Sequence, residues 1–210
     1  MMKYADEKVI AMLFGGDEEE REKDRKGEDS PSPSLEGMTL HVQGERHQFA
    51  RRFIPGGEAS IVLSQAFTVM DEETARLKYP AERRPKLIFT NEQTSINVAF
   101  QQTGFEIEPD DVEEFSGTML AVLKRSQPAA RWFHEGMREV GGKPVAFFAY
   151  LTPALDCNLY NLMLLAELNG RAIACTFNCM EEEMDDWRKL GEAMLASIKW
   201  HLPEQEGDRL

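Results

Sequence analysis

Three polar residues lie close together in one segment of this 210-residue chain, and their side chains suit chemistry. His134, Glu135 and Arg138 supply an imidazole, a carboxylate and a guanidinium, which proteins use for proton transfer and for binding anions. Because side chains alternate along a strand, His134 and Arg138 share one face if this segment is a strand. They then form half of a polar pocket. The alternative is a solvent-facing strand surface, with Phe133 and Met137 on the opposite face.

Other residues suit recognition more than catalysis. Arg83 and Arg84 form a basic spot that fits an acidic segment of a partner, although ordinary surface ion pairing explains it too. Tyr160 and Asn161 indicate a polar cluster at one end of a hairpin, and a cross-strand Tyr contact with a backbone-bonding Asn explains them equally well. The possible binding surface predicted from the sequence is therefore Arg83, Arg84, His134, Glu135, Arg138, Tyr160 and Asn161.

The motifs of common catalytic and cofactor sites are missing from the sequence. It has no Gly-x-Ser-x-Gly nucleophile elbow, no Gly-x-x-x-x-Gly-Lys-Ser/Thr phosphate loop and no His-Glu-x-x-His zinc motif. The four histidines show no ligand spacing, and a structural zinc site needs about four ligands. We therefore predict no catalytic residue, no cofactor and no metal, and favour a non-catalytic protein over an enzyme.

Cys157, Cys175 and Cys179 are the three cysteines of the chain. The number is odd and the N-terminus lacks the apolar core of a signal peptide, so we predict free thiols in a reducing compartment, the cytoplasm. Cys175 falls in an apolar run and is expected to be buried. Cys179 precedes the last predicted helix, whose dipole would lower the pKa of its thiol, so we expect Cys179 to react first if it is exposed.

Charge is distributed unevenly along the chain, which carries a formal charge of -13. That balance argues against nucleic acid and anionic membrane surfaces as partners, because both require Lys and Arg. Residues 1–37 hold 11 acidic and 6 basic residues, and residues 14–37 are too charged and Pro-rich to form a core. The sequence thus predicts a disordered segment over 1–37, a single domain over 38–203 and a polar tail over 204–210.

The Asn169-Gly170 pair sets the register of the central hairpin. Asn-Gly between two β-rich runs is the strongest short hairpin signal, since a type I′ turn needs positive φ at both positions. A two-residue turn there pairs Leu164 with Cys175 and Tyr160 with Cys179. The run 162–165 is apolar on both faces of its strand, so both faces of the sheet must be covered.

Periodicity and turn residues predict the remaining elements. Strands are expected at 39–43, 46–54, 60–63, 86–90, 95–101, 131–140, 143–151, 159–168 and 171–177. A short helix follows Asp71 as N-cap, and a second begins at Pro109 with Val112, Phe115, Met119, Val122 and Leu123 on its buried face. A capping box of Asn178 and Glu181 is expected to open the last helix. This order predicts an α+β fold, an α/β/α sandwich whose central sheet is mostly antiparallel.

Six short sequences carry a family resemblance over roughly residues 38–200. They are Tyr79-Pro80, Arg84-Pro85 before a strand, Tyr160-Asn161, Asn169-Gly170, Phe177-Asn178-Cys179 and Ser197-Ile198-Lys199-Trp200. With this order of elements, the chain resembles the PsbP-like (DcrB-like) family in its uncharacterised bacterial branch. The resemblance implies helices on both sheet faces and a non-catalytic accessory or chaperone-like module that binds another protein. It carries over no site residue. The alternative is a small-molecule-binding protein or enzyme with a pocket near His134, Glu135 and Arg138.

Overall fold

The computed structural model describes residues 34–55, 57–81, 84–154 and 156–201. The strands are β1 (Thr39–Val42), β2 (Glu45–Phe53), β3 (Ala59–Ser64), β4 (Thr68–Val69), β5 (Leu87–Thr90), β6 (Asn97–Glu106), β7 (Arg131–Val140), β8 (Lys143–Pro153), β9 (Asn158–Leu168), β10 (Arg171–Met180) and β11 (Lys199–Trp200). The α-helices are α1 (Glu72–Lys78), α2 (Val112–Ser126) and α3 (Met184–Ala196). Single 3-10 turns, Pro109–Asp111 and Glu181–Glu183, lead into α2 and α3.

The strands form two antiparallel sheets. Seven strands follow the order β4-β5-β6-β10-β9-β8-β7, and four follow β1-β2-β3-β11. All described neighbours pair antiparallel, which confirms the predicted fold class. The separate four-stranded sheet was not predicted, because it is completed by β11, where Lys199 pairs with Ser60 and Trp200 with Ala59 across most of the chain.

The seven-stranded sheet has two faces of different character. Its inner face packs against α3 and the four-stranded sheet and forms the main core, with Leu162, Leu164 and Phe177 facing Leu190 and Met194 of α3. Its outer face is covered by α2 on β8 and β9, and by α1 near β5 and β6. Helices therefore lie on both faces, as predicted, but most of the buried apolar area is on the inner face.

The central hairpin has the predicted register. Asn169 and Gly170 have φ of 53° and 74°, as a type I′ turn requires. Leu164 pairs with Cys175 and Tyr160 with Cys179. The sequence prediction of this register is confirmed.

The predicted cap of the last helix is wrong. Asn178 lies in β10, where it pairs with Asn97 of β6 and Asn161 of β9. Its side chain accepts a hydrogen bond from Asn97 Nδ2 (2.9 Å) and donates to the Tyr79 hydroxyl (3.2 Å). The helical turn instead begins after Met180, whose backbone N–H donates to Glu183. Asn178 is part of the sheet because β10 pairs with both β6 and β9 at this position.

The folded domain extends upstream of Met38. Leu35 is 1% exposed in the main core, and the guanidinium of Arg51 lies 3.1 Å from the Glu36 carboxylate. The domain therefore includes at least three residues that the sequence prediction assigned to the disordered segment. Residues 1–33 and 202–210 lie outside the described residues, so their predicted disorder stays a prediction.

Candidate functional site

A cleft of about 1040 Å³ opens on the outer face of the seven-stranded sheet. One wall comes from α1, including Ala75, and the opposite wall from α2, including Met119 and Leu123. The floor is made by β6, β9 and β10, with Leu165 and Ala174 among its residues. The cleft exists because α2 packs over β8 and β9 while α1 lies near β5, so the two helices leave the strands between them open.

The cleft has apolar walls and a mixed floor, because Gln101 and Thr103 of β6 line it together with apolar residues of β9 and β10. Several of its apolar side chains are incompletely buried. Met119 and Leu123 of α2 and Met163 of β9 are half-buried rather than sealed in the core. Val122 is 43% exposed, so its predicted place on the buried face of α2 is wrong. Apolar side chains left partly open to water favour a partner that covers them, and Met is well suited to adaptable binding surfaces.

One exposed aromatic side chain adds to the apolar surface of the cleft. Phe105 lines the cleft, is 52% exposed and packs at 5.4 Å between ring centroids against Phe115. A side chain of this kind enlarges the apolar area that a bound chain would remove from water.

One edge of the cleft is basic. Arg84 and Lys86 line it on either side of Pro85, and Arg84 Nη1 donates to the Ala81 carbonyl oxygen at 3.4 Å. The acidic group at the α1 side, Glu72, forms an ion pair with Arg76 of the same helix. In an acidic protein, two basic side chains beside an apolar groove form a local site for negative charge.

The residues predicted from the sequence are spread over the fold. Arg84 lines the cleft, and Arg83 lies outside the described residues. The other five lie elsewhere, three in the edge strand β7 and two in β9. The sequence pattern assigns residues that form the cleft, such as Met119 and Met163, to the core. The one signal of a binding surface in the sequence is the Met side chains themselves, which suit adaptable surfaces.

The trio on β7 does not form one pocket. In the register of β7 and β8, His134 and Arg138 pair with Ala149 and Val145, whose side chains belong to the inner core. Glu135 points to the outer face, where its carboxylate binds Lys124 of α2 at 2.7 Å. Strand alternation thus separates the carboxylate from the two basic groups.

A β-bulge corrects the predicted position of Phe133. The register of β7 shifts between Trp132 and His134, and an extra residue in a strand changes the facing of its side chain. Phe133 contacts the inner-face residue Tyr160 at 6.1 Å between ring centroids. Phe133 therefore lies on the side of His134, whereas Met137 is on the opposite face as predicted.

The guanidinium of Arg138 is confined between strand and helix. It lies over the Phe147 ring at 4.9 Å. Its Nε and Nη2 are buried, and neither has a hydrogen-bond partner among the described residues. Burial lowers the pKa of Arg138, and the nearby Glu192 carboxylate of α3 opposes that shift.

Tyr160 and Asn161 point to opposite faces of β9. Tyr160 is fully buried in the main core, and burial raises the pKa of its hydroxyl. Asn161 Nδ2 donates to Thr152 Oγ1 (3.1 Å) and to the Leu159 carbonyl oxygen (3.0 Å). The two side chains therefore do not form a shared polar cluster.

In the parts of the chain that the structure describes, no three His, Cys, Asp or Glu side chains gather in a way that suits a metal ion. None of the described helices combines the length and apolar character needed to cross a membrane.

Cys179 does not meet the condition of exposure under which it was expected to react first. Cys179 is 0% exposed, and burial raises the pKa of its thiol to about 12, with the Glu183 carboxylate adding to the shift. Burial likewise raises the pKa of Cys175. The expectation that Cys179 could be activated by a helix dipole is wrong, because Cys179 belongs to β10. Cys157 is half-buried.

We expect a maleimide to label Cys157 first in the native protein, since access and thiolate character control the rate. Cys175 and Cys179 should be labelled only after unfolding. Peptide mapping of native and unfolded samples measures the order. Native labelling of Cys175 or Cys179 at the rate of Cys157 would contradict the buried register of β10.

Comparison with known proteins places this architecture in a fold family. No protein-family model and no curated protein sequence matches the chain. It is similar to the solution structure of cyanobacterial PsbP from Synechocystis, with a TM-score of 0.53 and 12% identity over 82% of this chain and all (100%) of that chain. A protein of Bacteroides thetaiotaomicron gives 0.49 and 10% identity over 75% of this chain and 50% of that chain. The Ran-binding protein Mog1p of Saccharomyces cerevisiae gives 0.46 and 8% over 73% and 96%.

The chain therefore has the PsbP-like fold, as its sequence resemblance implied.

Proposed function

We propose that this protein is a non-catalytic accessory or chaperone-like module that holds an apolar segment of another protein in the cleft between α1 and α2. The observation that carries the proposal is the open groove of about 1040 Å³ whose apolar walls are only half-buried. A helix or extended chain laid in such a groove covers apolar side chains on both partners.

The basic edge gives the partner a further property. Arg84 and Lys86 would favour an acidic residue next to the apolar segment. Exposed charges of this kind change the rate of association and its salt dependence more than the affinity. We also propose the cytoplasm as the compartment, which the free thiols support.

Substitution of Leu123 by Glu should abolish partner capture, while substitution of the adjacent Val122 by Glu should leave it intact. Leu123 lines the cleft, whereas Val122 is on the same helix, is exposed and does not line the cleft. Both changes place the same charged side chain in the same helix, so they add the same charge to the protein. Capture is measured with a photo-reactive phenylalanine at Phe105 of the full chain, in native extract.

A matched cross-linker at Phe53 controls for general stickiness, since Phe53 is exposed on β2 away from the cleft. The proposal expects a stoichiometric protein adduct from position 105, its loss in Leu123→Glu, and no such adduct from position 53. Equal adducts from both positions, or equal capture by Leu123→Glu and Val122→Glu, would rule out the cleft as the binding site.

The Nε and Nη2 groups of Arg138, which have no hydrogen-bond partner among the described residues, favour a second candidate function, binding of a small anion beside His134. Buried donors without partners are costly and are commonly satisfied by a ligand or water. Glu135 would take no direct part, because it faces Lys124 on the other side of the sheet. A metabolite that co-purifies with the protein and is lost in Arg138→Met but kept in Glu135→Gln would support this function. Its retention in Arg138→Met would exclude it.

A further inference from the structure

The apolar segment that best matches the cleft lies in this chain itself. We infer that residues 9–14, Val-Ile-Ala-Met-Leu-Phe, dock in the cleft between α1 and α2 of the same molecule, with the acidic run Asp17–Glu20 against Arg84 and Lys86. The segment is outside the described residues. Its sequence supplies apolar side chains for the walls of the cleft and acidic side chains for its basic edge. The inference rests on the proposed function, because it takes the cleft to be a binding groove.

Order along the sequence matches order across the cleft. Five of the six residues at 9–14 are large apolar residues, and the acidic run begins three residues after Phe14. Three to four extended residues span roughly 10–14 Å, which is enough to pass from the floor of a groove to its edge. The part of the floor made by β9 and β10 is apolar, with Met163, Leu165 and Ala174, and the edge carries Arg84 and Lys86. Apolar and charged parts of the segment therefore meet complementary parts of the cleft in one orientation.

The connecting chain is long enough to reach. Leu35 fixes the end of the segment in the main core, on the other side of the sheet from the cleft. Twenty residues lie between Phe14 and Leu35. A flexible chain of about that length has a root-mean-square span of roughly 22–27 Å and a contour of roughly 70 Å. A domain of this size has a radius of gyration of about 15 Å, so the cleft lies within reach. Tethering keeps the segment at an effective concentration on the order of millimolar.

Docking in the same molecule has a regulatory consequence. A partner must displace residues 9–14. Its apparent affinity is therefore its intrinsic affinity multiplied by the fraction of molecules whose cleft is open. The segment also covers the half-buried apolar walls when no partner is present. The cleft is then fully exposed only after residues 9–14 have been displaced.

A nitroxide attached to Gly16→Cys in the full chain, with Cys157→Ser to remove the half-buried thiol, tests the inference. Amide signals of cleft residues such as Gly104 and Leu123 should lose most of their intensity through paramagnetic broadening. Signals of Phe53 and Gly142, which do not line the cleft, should keep theirs. The loss at the cleft should disappear in Ile10→Asp/Leu13→Asp and weaken in Arg84→Glu/Lys86→Glu, and it should also weaken when salt shortens the Debye length from about 10 to 3 Å.

Mixing separates docking within one molecule from docking between two. In this mixture, one chain carries the nitroxide but no NMR-active isotope, and the other carries the isotope but no nitroxide. The inference expects no broadening at the cleft of the isotope-labelled chain. Broadening in that mixture, broadening spread evenly over the domain, or persistence in Ile10→Asp/Leu13→Asp would overturn the inference. Such a failure leaves the difference in partner capture between Leu123→Glu and Val122→Glu unaffected, so it is distinguishable from failure of the proposed function.

Discussion

Replacing Leu164 by Ala is expected to lower the free energy of unfolding by about 2–5 kcal/mol. Leu164 is 1% exposed at the centre of β9, where it pairs with Phe147 of β8 and Cys175 of β10. Its side chain belongs to the main core beneath α3, so the removed atoms leave a cavity that the surrounding side chains cannot fill completely. Urea denaturation followed by circular dichroism measures the change.

Met163→Ala is the matched control, because Met163 is the neighbouring residue of the same strand and faces the half-open cleft. Its loss should be clearly smaller, since water already reaches part of its side chain and no sealed cavity forms. Equal losses for the two variants would contradict the assignment of the inner face as the main core. A loss for Leu164→Ala within about 0.5 kcal/mol, typical of surface sites, would do the same.

Gly191→Ala is expected to destabilise the protein by about 1–3 kcal/mol, although Ala is the better helix former. A Cβ at position 191 of α3 would lie 2.5–2.7 Å from three ring atoms of Phe177. Phe177 is fully buried in β10, so its ring cannot swing away without disturbing its neighbours. Gly191 therefore sets how closely α3 approaches the sheet.

Gly117→Ala is the matched control, and it is expected to change the stability in the opposite direction. Gly117 lies in α2, and no heavy atom lies within 4 Å of a Cβ built there. Its replacement should raise stability by about 0.5–1 kcal/mol through helix propensity alone. Thermal melts of the two variants measure the contrast. If both substitutions raise the melting temperature, the close packing of α3 on Phe177 is not present in solution.

The parts of the fold set by local chemistry were predictable from the sequence. The Asn169-Gly170 turn specifies its own φ values, so the pairing of Leu164 with Cys175 followed by counting. Asp71 was identified as the N-cap of α1, and its carboxylate accepts a hydrogen bond from the Thr74 backbone N–H at 2.9 Å. In each case, residues within a few positions of one another determine the geometry.

The cleft depended on distances between elements that no local pattern contains. Met119 and Leu123 have the spacing of a buried helix face, and only the position of α2 over β8 and β9 leaves them half open. The two-residue strand β11 completes its sheet by pairing with β3, far away in the chain. Asn178 had the spacing of a helix cap, but hydrogen bonds to Asn97 and Tyr79 hold it in the sheet. Tertiary contacts decided all three.

The unequal faces of the seven-stranded sheet have a consequence for divergence between relatives. Mutations are retained when stability stays above the threshold needed for folding. Since the inner face holds most of the buried apolar side chains, substitutions at the outer face lower the stability of the fold less than substitutions at the inner face. The lining of the cleft can therefore change many times over while α3 and Phe177 remain in place. Proteins that descend from one ancestral chain can in this way acquire different partners while every intermediate sequence still folds.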